Sequence, residues 1–447
     1  MHWLAVLVAI MGVAACRVDP AGDEPAVDAA ATVGPLRLYP QGISRVAGFS
    51  LAPRDFADGE SLHILARDGF HWIRFDALWH LHEPLPGVYD FRTLDAEVNS
   101  ILAAGLEPLL ILAYGNPYYS SLGANCRSMT DNSDDYRCPP DDPADFARYA
   151  AALTRHFAGR VRVYEIWNEA NGWFRFWPTR AGGDPAAYGR LVAAAADAVH
   201  AECRDCLVLS GGLVFHEVPP VVMGQADFMS GMRAAVPDLF GRVDGVGMHH
   251  YTFYPPVNAP EDDGFPERPL ADMLDDTRTH CDCDLPLWIT ETGWSTAGGL
   301  SELGQARHGL RGLLIALAAG AESWLWWSLR RLDGQQLIAA QEAWFGVWNL
   351  DGSPRPIYTA LQRFLAELGS AIAVRDVRSR YGLDAPAEWA VEFRMAGGET
   401  YVVVWANIPG PGRRIAPLSG RSALNLISGE TGPFVRLGPD PLLMAMD

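Results

Sequence analysis

Between Arg45 and Leu365, short apolar runs alternate with longer segments of helical periodicity, and the alternation repeats eight times. The runs are Val46–Ser50, Trp72–Asp76, Pro108–Ala113, Val163–Trp167, Leu207–Gly211, Gly245–Met248, Leu287–Thr290 and Ser323–Trp327. Alternation of this kind is the pattern of a parallel sheet with crossover helices. The intervals supply the helices. Phe146–Phe157 has apolar residues at helical spacing. Asp184-Pro185 provides an N-cap and a proline at the first helical position ahead of the Ala-rich segment Ala186–Ala201. Glu302–Ala319 forms another. Eight such units predict an α/β fold closed into a (β/α)8 TIM barrel. An open doubly wound sheet would place a Gly-rich phosphate turn after an early strand, and Val46–Ser50 has none.

After about Gly369 the texture changes. Trp389–Met395, Thr400–Trp405 and the shorter Leu424–Ile427 read as extended, with turns rich in Gly and Pro between them. A small C-terminal antiparallel β-domain is expected, to which Leu36–Tyr39 can add a strand. The expected division is a barrel over residues 36–366 and a small β-sandwich over 367–447. Ahead of these, Trp3–Ala15 is an apolar run ending in small residues, the length of a signal-peptide core and short for a membrane span. Residues 1–15 are read as that signal. Val13-Ala14-Ala15-Cys16 resembles the lipobox of bacterial lipoproteins, which implies lipidation at Cys16. Met1-His2 lacks the usual basic residue, so plain secretion is the alternative. Arg17 to Val33 is rich in Ala, Pro, Asp and Glu without periodicity, so residues 16–35 are expected to be a flexible tether.

An exported chain is expected to form disulfides. Setting Cys16 aside, Cys126 and Cys138 bracket a polar loop and are expected to pair. Cys203-x-x-Cys206 and Cys281-x-Cys283 can pair within or between their segments. A four-Cys zinc site is the alternative. The formal net charge of −19 argues against nucleic acid, whose phosphates require a basic surface. The chain is expected to be a monomer that meets a membrane only through its lipid.

Two runs end on a carboxylate. Val163–Trp167 leads into Asn168-Glu169, and Leu287–Thr290 leads into Glu291, then Thr292-Gly293-Trp294. In a parallel barrel the C-terminal ends of the strands form the active site. Glycoside hydrolysis needs two carboxyls flanking the scissile bond, one protonated and one ionised. The ordinary alternative, a salt-bridged strand end, serves well for one Glu and poorly for two in such matched settings. The 15 Trp residues fit sugar stacking but fill cores equally well.

At these residues the chain resembles the retaining glycoside hydrolases of clan A, whose barrels carry an Asn-Glu acid/base on strand four and a Glu nucleophile on strand seven. Trp167-Asn168-Glu169 matches the first and Thr290-Glu291-Thr292-Gly293-Trp294 the second. Trp72-Ile73-Arg74-Phe75-Asp76, with Trp79 and Glu83-Pro84, resembles strand two and its loop. His249-x-Tyr251 resembles strand six, and Phe345-Gly346 with Asp351–Tyr358 the segment after strand eight. The nearest likeness is to family 39, particularly its bacterial exopolysaccharide-degrading members, with family 5 a near neighbour. Ala170 departs from the proline usual after the acid/base.

The resemblance implies roles. Glu169 would protonate the leaving oxygen and then deprotonate water, and Glu291 would form a glycosyl-enzyme. Asn168 would bind the sugar 2-hydroxyl. Arg74 and Tyr251 would hold Glu291 ionised, His249 would line or buttress the site, and Trp327 would floor it. Trp324 and Trp326 are expected in the core.

Trp173, Phe174, Phe176 and Trp177 could stack on the leaving-group side or simply pack the loop; Trp173 is taken as a binding residue. His80-x-His82-Glu83 is a poor metal cluster, because neighbours in one short loop rarely converge on one ion. No metal and no cofactor is expected, since two carboxyls suffice. The expectation is an endo-acting retaining glycosidase of a β-linked carbohydrate. The alternatives are an exo-acting β-xylosidase-like enzyme and a non-catalytic glycan-binding lipoprotein.

Overall fold

Parallel strands in chain order close into a barrel: β2 (Ala47–Ser50), β3 (Trp72–Leu78), β4 (Glu107–Ala113), β5 (Val163–Asn168), β6 (Leu207–Val214), β7 (Gly245–Tyr251), β8 (Leu287–Gly293) and β9 (Ala321–Trp327). β9 pairs back onto β2, from Ala47↔Trp324 to Ser50↔Trp327. The computed structural model describes residues 33–51, 59–122, 136–172, 176–178, 183–215, 217, 222–251, 258–262, 268–281, 284–331, 342–383, 386–408 and 412–446. Residues 1–32, with the stretch read as a signal, Cys16 and most of the expected tether, lie outside them, as do Cys126 and Trp173. Cys203 and Cys206 form a disulfide at the end of the helix Pro185–Glu202.

The helices start where the sequence places its caps. Asp142 accepts the Ala144 N–H ahead of Pro143–His156, and Asp184 accepts the Ala187 N–H ahead of Pro185–Glu202. Ser301 accepts the Gly304 N–H ahead of Glu302–Ala319. Their apolar faces cover the outside of the barrel. Inside, Trp72, Leu109, Val163, Leu209, Trp288 and Leu325 from six strands make a dry layer at the N-terminal end. Two residues further along, the same inward-facing positions carry Arg74, Glu165 and Thr290. The interior therefore turns from apolar to charged within one step of the strand repeat, toward the end where the site lies.

Seven strands form the second sheet, in the order β1 (Arg37–Leu38), β10 (Ala371–Asp376), β11 (Glu388–Met395), β12 (Thr400–Ala406), β15 (Leu442–Met446), β13 (Ser422–Asn425), β14 (Thr431–Pro433). All its pairings are antiparallel. Leu36–Tyr39 adds a strand to this sheet as expected: Arg37 and Leu38 of β1 pair with Val374 and Ala373. One expectation changes. The C-terminal region is one sheet rather than a sandwich of two, among the described residues.

One face of that sheet, with Trp389, Val391, Phe393, Val403 and Trp405, joins the barrel's own core. A sheet with an apolar face must bury it against something, and here the barrel helices serve. Trp405 Nε1 also donates to Glu261 Oε1 at 2.6 Å, and Asn407 Nδ2 to Asp262 Oδ1 at 2.7 Å. Glu261 and Asp262 follow β7, so the β-domain grips a loop on the functional face of the barrel.

Candidate active site

Both candidate carboxylates reach the mouth of the barrel through breaks in strand alternation. At the end of β5, Trp167 and Glu169 have φ of 69° and 46°. Each such residue costs on the order of 1–2 kcal/mol. The turn is held by the Glu169 N–H donating to Gly212 O at 2.9 Å and the Gly172 N–H to Glu169 O at 2.8 Å. Its effect is a change of parity. Trp167 turns outward, with its ring near Phe146 and Trp177, and Nε1 donates to Phe176 O at 2.7 Å. Glu165 and Asn168, an odd number of residues apart, can then both face Arg74. In β8 the register with both neighbouring strands shifts between Ile289 and Thr292, so that adjacent Thr290 and Glu291 both reach inward.

Arg74 is the hub. Its guanidinium Nη1 donates to Glu291 Oε1 at 2.6 Å and to Ser50 Oγ at 3.0 Å. Nη2 donates to Asn168 Oδ1 at 2.8 Å, and Nε to Glu165 Oε2 at 2.5 Å. Burial opposes its charge, and the carboxylates of Glu165 and Glu291 outweigh that and raise its pKa. The Tyr251 hydroxyl donates to Glu291 Oε2 at 2.9 Å. His249 Nδ1 lies 2.8 Å from Glu169 Oε1 and 3.7 Å from Glu291 Oε2. One oxygen of each carboxylate and one nitrogen of His249 fall within 4.8 Å of one another. The side chains of Glu169 and Glu291 stay 16% and 15% exposed, whereas those of Arg74, Glu165 and His249 are sealed. Solvent, or a substrate, therefore meets the two carboxylates first.

The electrostatics favour one charge state at Glu291. Burial alone would raise its pKa. The imidazole of His249 and the guanidinium of Arg74, with hydrogen bonds from Tyr251 and Arg74, lower it below the ordinary carboxylate value. Tyr251 itself is raised well above a free phenol, by burial first and then by the two carboxylates, so it stays a donor. Removing that donor disfavours the carboxylate, so Tyr251→Phe is expected to move the acid limb of any Glu291-dependent activity to higher pH. At the optimum the rate should fall about tenfold, as for one hydrogen bond to a charged group. A pH–rate profile checks both, and an unmoved limb would remove Tyr251 from this role.

The expected site residues Arg74, Asn168, Glu169, His249, Tyr251 and Glu291 come together. Trp327 ends β9, partly exposed, beside the Ser50 strand, while Trp324 and Trp326 are buried in the core as expected. Phe176 and Trp177 pack inside, which settles that pair as loop packing; Trp173 is outside the described residues. Glu83 accepts from Trp79 Nε1, from the Gly87 N–H and from the Tyr119 hydroxyl, so it organises its loop. Ser50, Glu165 and Thr290 were missed. A glutamate in an otherwise buried run, on the inward parity shared with Val163, was the available signal for Glu165.

The chain superposes on a family 39 glycoside hydrolase from the gut symbiont Bacteroides cellulosilyticus WH2 with a TM-score of 0.66, at 19% identity, over 92% of this chain and 83% of that one. The fold is the one found in family 39 glycoside hydrolases. A monomeric β-xylosidase from Caulobacter crescentus CB15 matches with a TM-score of 0.61 at 16% identity, over 92% of this chain and 97% of that one. The exo-β-1,4-mannosidase Op5Man5 from Opitutaceae bacterium strain TAV5 matches with a TM-score of 0.52 at 18% identity, over 72% and 59%. No family model and no curated protein matches the sequence. The likeness spans both the barrel and the β-domain, so the two travel together as an architecture.

Proposed function

We propose that the protein is a retaining glycoside hydrolase that cleaves β-glycosidic bonds by double displacement, with Glu169 as acid/base and Glu291 as nucleophile. The observation that carries this reading is the pair of partly exposed carboxylates with oxygens within 4.8 Å of each other. Retaining enzymes hold the two groups about 5–5.5 Å apart, whereas inverting ones need room for a water at roughly 6.5–9.5 Å. Glu291, ionised against Arg74 and Tyr251, attacks the anomeric carbon. Glu169 gives its proton to the leaving oxygen and later takes one from water, and His249 at 2.8 Å orients it. Asn168 Oδ1 is occupied by Arg74, which turns the amide N–H₂ toward a sugar hydroxyl. A hydrogen bond to the 2-hydroxyl strengthens as the oxocarbenium-like transition state forms.

An endo mode of attack was the sequence expectation. The solved structures that share the fold include β-xylosidases and an exo-β-1,4-mannosidase, and these names favour the exo alternative. Product sizing separates the two. Soluble protein beginning after Cys16 is incubated with β-linked polysaccharides and aryl β-glycosides, with Glu169→Gln as a paired control. Release of monosaccharide alone is expected for the exo mode, and a ladder of oligosaccharides for the endo mode. In kcat/KM the control should lose about 10²–10⁴-fold on unactivated substrates and much less on nitrophenyl glycosides, whose leaving groups need no proton, while kcat on both falls because water lacks its base. Equal glycan binding by both proteins with turnover by neither would leave the binding-protein reading.

A further inference from the structure

Glu165 sits one layer below the two exposed carboxylates and is fully enclosed. Its Oε2 accepts from Arg74 Nε at 2.5 Å. Its Oε1 accepts from the Gly212 N–H and from Thr290 Oγ, both at 2.7 Å. Three donors thus converge on one buried carboxylate. Each donor leads to a different part of the site. Arg74 carries Glu291 and Asn168 on its two terminal nitrogens. The carbonyl of Gly212 accepts the Glu169 N–H at 2.9 Å. Thr290 directly precedes Glu291.

The space around this hub is shaped for close approach. A Cβ on Gly247 would stand 2.8 Å from Glu165 Oε1, and one on Gly212 would stand 2.1 Å from His249 Nε2. Bare backbone on β6 and β7 is what lets the carboxylate and the imidazole share one layer. The guanidinium has five N–H groups in a rigid fork. Nε serves Glu165, Nη1 serves Ser50 and Glu291, and Nη2 serves Asn168 and comes within 3.4 Å of His249 Nε2. Fixing Nε fixes the plane of the fork and with it every other contact. The other charged or titratable groups near the pair are Glu291, His249, Asp76 and the Tyr188 phenol.

We propose that Glu165 is a positioning residue for the glycosidase reaction, an anionic anchor that sets the plane of Arg74 and so the placement of Glu291, Asn168 and Glu169 without touching the sugar. The proposal rests on the glycosidase reading. Its charge has a second effect: Arg74 is shared between two carboxylates, so Glu165 tempers the pull of the guanidinium on the nucleophile.

Glu165→Gln and Glu165→Asp separate charge from reach. A Gln there has one acceptor and one N–H₂ against three donors, so one of them loses its partner. Arg74, with Glu291 as its remaining carboxylate, turns toward it. The expected result is a folded protein whose kcat falls about 10²-fold, as for a small misplacement of reacting groups, with KM nearly unchanged. The acid limb should move to lower pH, because a less shared Arg74 favours the Glu291 carboxylate. Glu165→Asp keeps the charge but not the reach, so kcat falls while the limb stays at its wild-type position. A role in packing alone would move no limb. The ¹⁵N-detected Arg74 Nε–H resonance gives a readout independent of turnover: it should shift in Glu165→Gln and largely persist in Glu165→Asp. A folded Glu165→Gln with wild-type kcat, limb and Nε–H resonance would overturn the proposal. If wild type turns over no glycoside, the glycosidase reading fails, and an unchanged Nε–H resonance in folded Glu165→Gln would then still overturn the anchoring role. Should Glu165→Gln not fold, Thr290→Val removes one of the three donors. A wild-type Nε–H resonance and kcat in that variant would overturn the proposal, and a partial shift with reduced kcat would support it.

Discussion

Glu291→Gln is expected to reduce turnover by at least about 10⁴-fold, the scale seen when a nucleophile is removed from an otherwise intact site. The amide keeps the size and two-fold shape of the carboxylate but cannot attack an anomeric carbon. The variant should fold, because Arg74 still faces Glu165 at 2.5 Å and is not left as an uncompensated buried charge. Glycan binding should survive for the same reason, since Asn168 and Trp327 stay in place. Steady-state kinetics on an aryl β-glycoside, paired with isothermal titration against the product sugar, measures both. A variant that kept more than a hundredth of wild-type activity would remove Glu291 from the nucleophile's role.

Arg74→Met is expected to have the largest effect on stability. The side chain is close in length and apolar, so the change is mostly one of charge. It leaves Glu165, which is wholly enclosed, without its cation. Breaking a buried ion pair from one side costs about 3–5 kcal/mol, a large share of the roughly 5–15 kcal/mol that holds a typical domain folded. The pH dependence has a definite sign. Without Arg74 the burial of Glu291 is less opposed and its pKa rises, so the folded variant takes up a proton at a pH where the unfolded chain has released it. By linkage its stability deficit relative to wild type should shrink as pH falls. Urea unfolding at pH 7 and pH 5 tests this. A deficit under 1 kcal/mol, or one that widened at pH 5, would contradict the hub role given to Arg74.

The barrel was legible in the sequence because its signal is repetitive: eight apolar runs, alternating with segments of helical periodicity. The strand ends were not. Five of the eight strands extend beyond their apolar runs at the C-terminal end, and those extensions carry Asn168, His249, Tyr251 and Glu291. Charged and polar residues there look like loop in a hydropathy reading, although they are pleated strand facing a polar interior. The motifs still located Glu169 and Glu291, since a carboxylate after an apolar run is visible without knowing how it is aimed. How it is aimed depends on positive φ at Trp167 and Glu169 and on the register shifts around Thr290, and no residue type advertises these. Glu165 was passed over for a related reason. It was read as part of a buried strand, and only the closed barrel shows that its neighbours across the interior are Arg74 and Thr290.

The C-terminal region illustrates a different limit. Alternation identified Trp389–Met395 and Thr400–Trp405 as strands, but it could not say whether their apolar face meets a second sheet or a helix layer. It meets the barrel, with Phe393 near Phe364 of the last barrel helix and Trp405 bonded to Glu261. Sequence periodicity gives the existence of a buried face, and tertiary structure decides its partner.

The stereochemistry of the first product tests the central claim most directly. A β-glycoside that the protein cleaves is followed by ¹H NMR from the first minutes, before the anomers equilibrate. The proposed mechanism makes two displacements at the anomeric carbon, so the β-anomer should appear first and the α-anomer only later, by mutarotation. Early appearance of the α-anomer would mean that water attacks directly, and the assignment of Glu291 as a covalent nucleophile would be wrong.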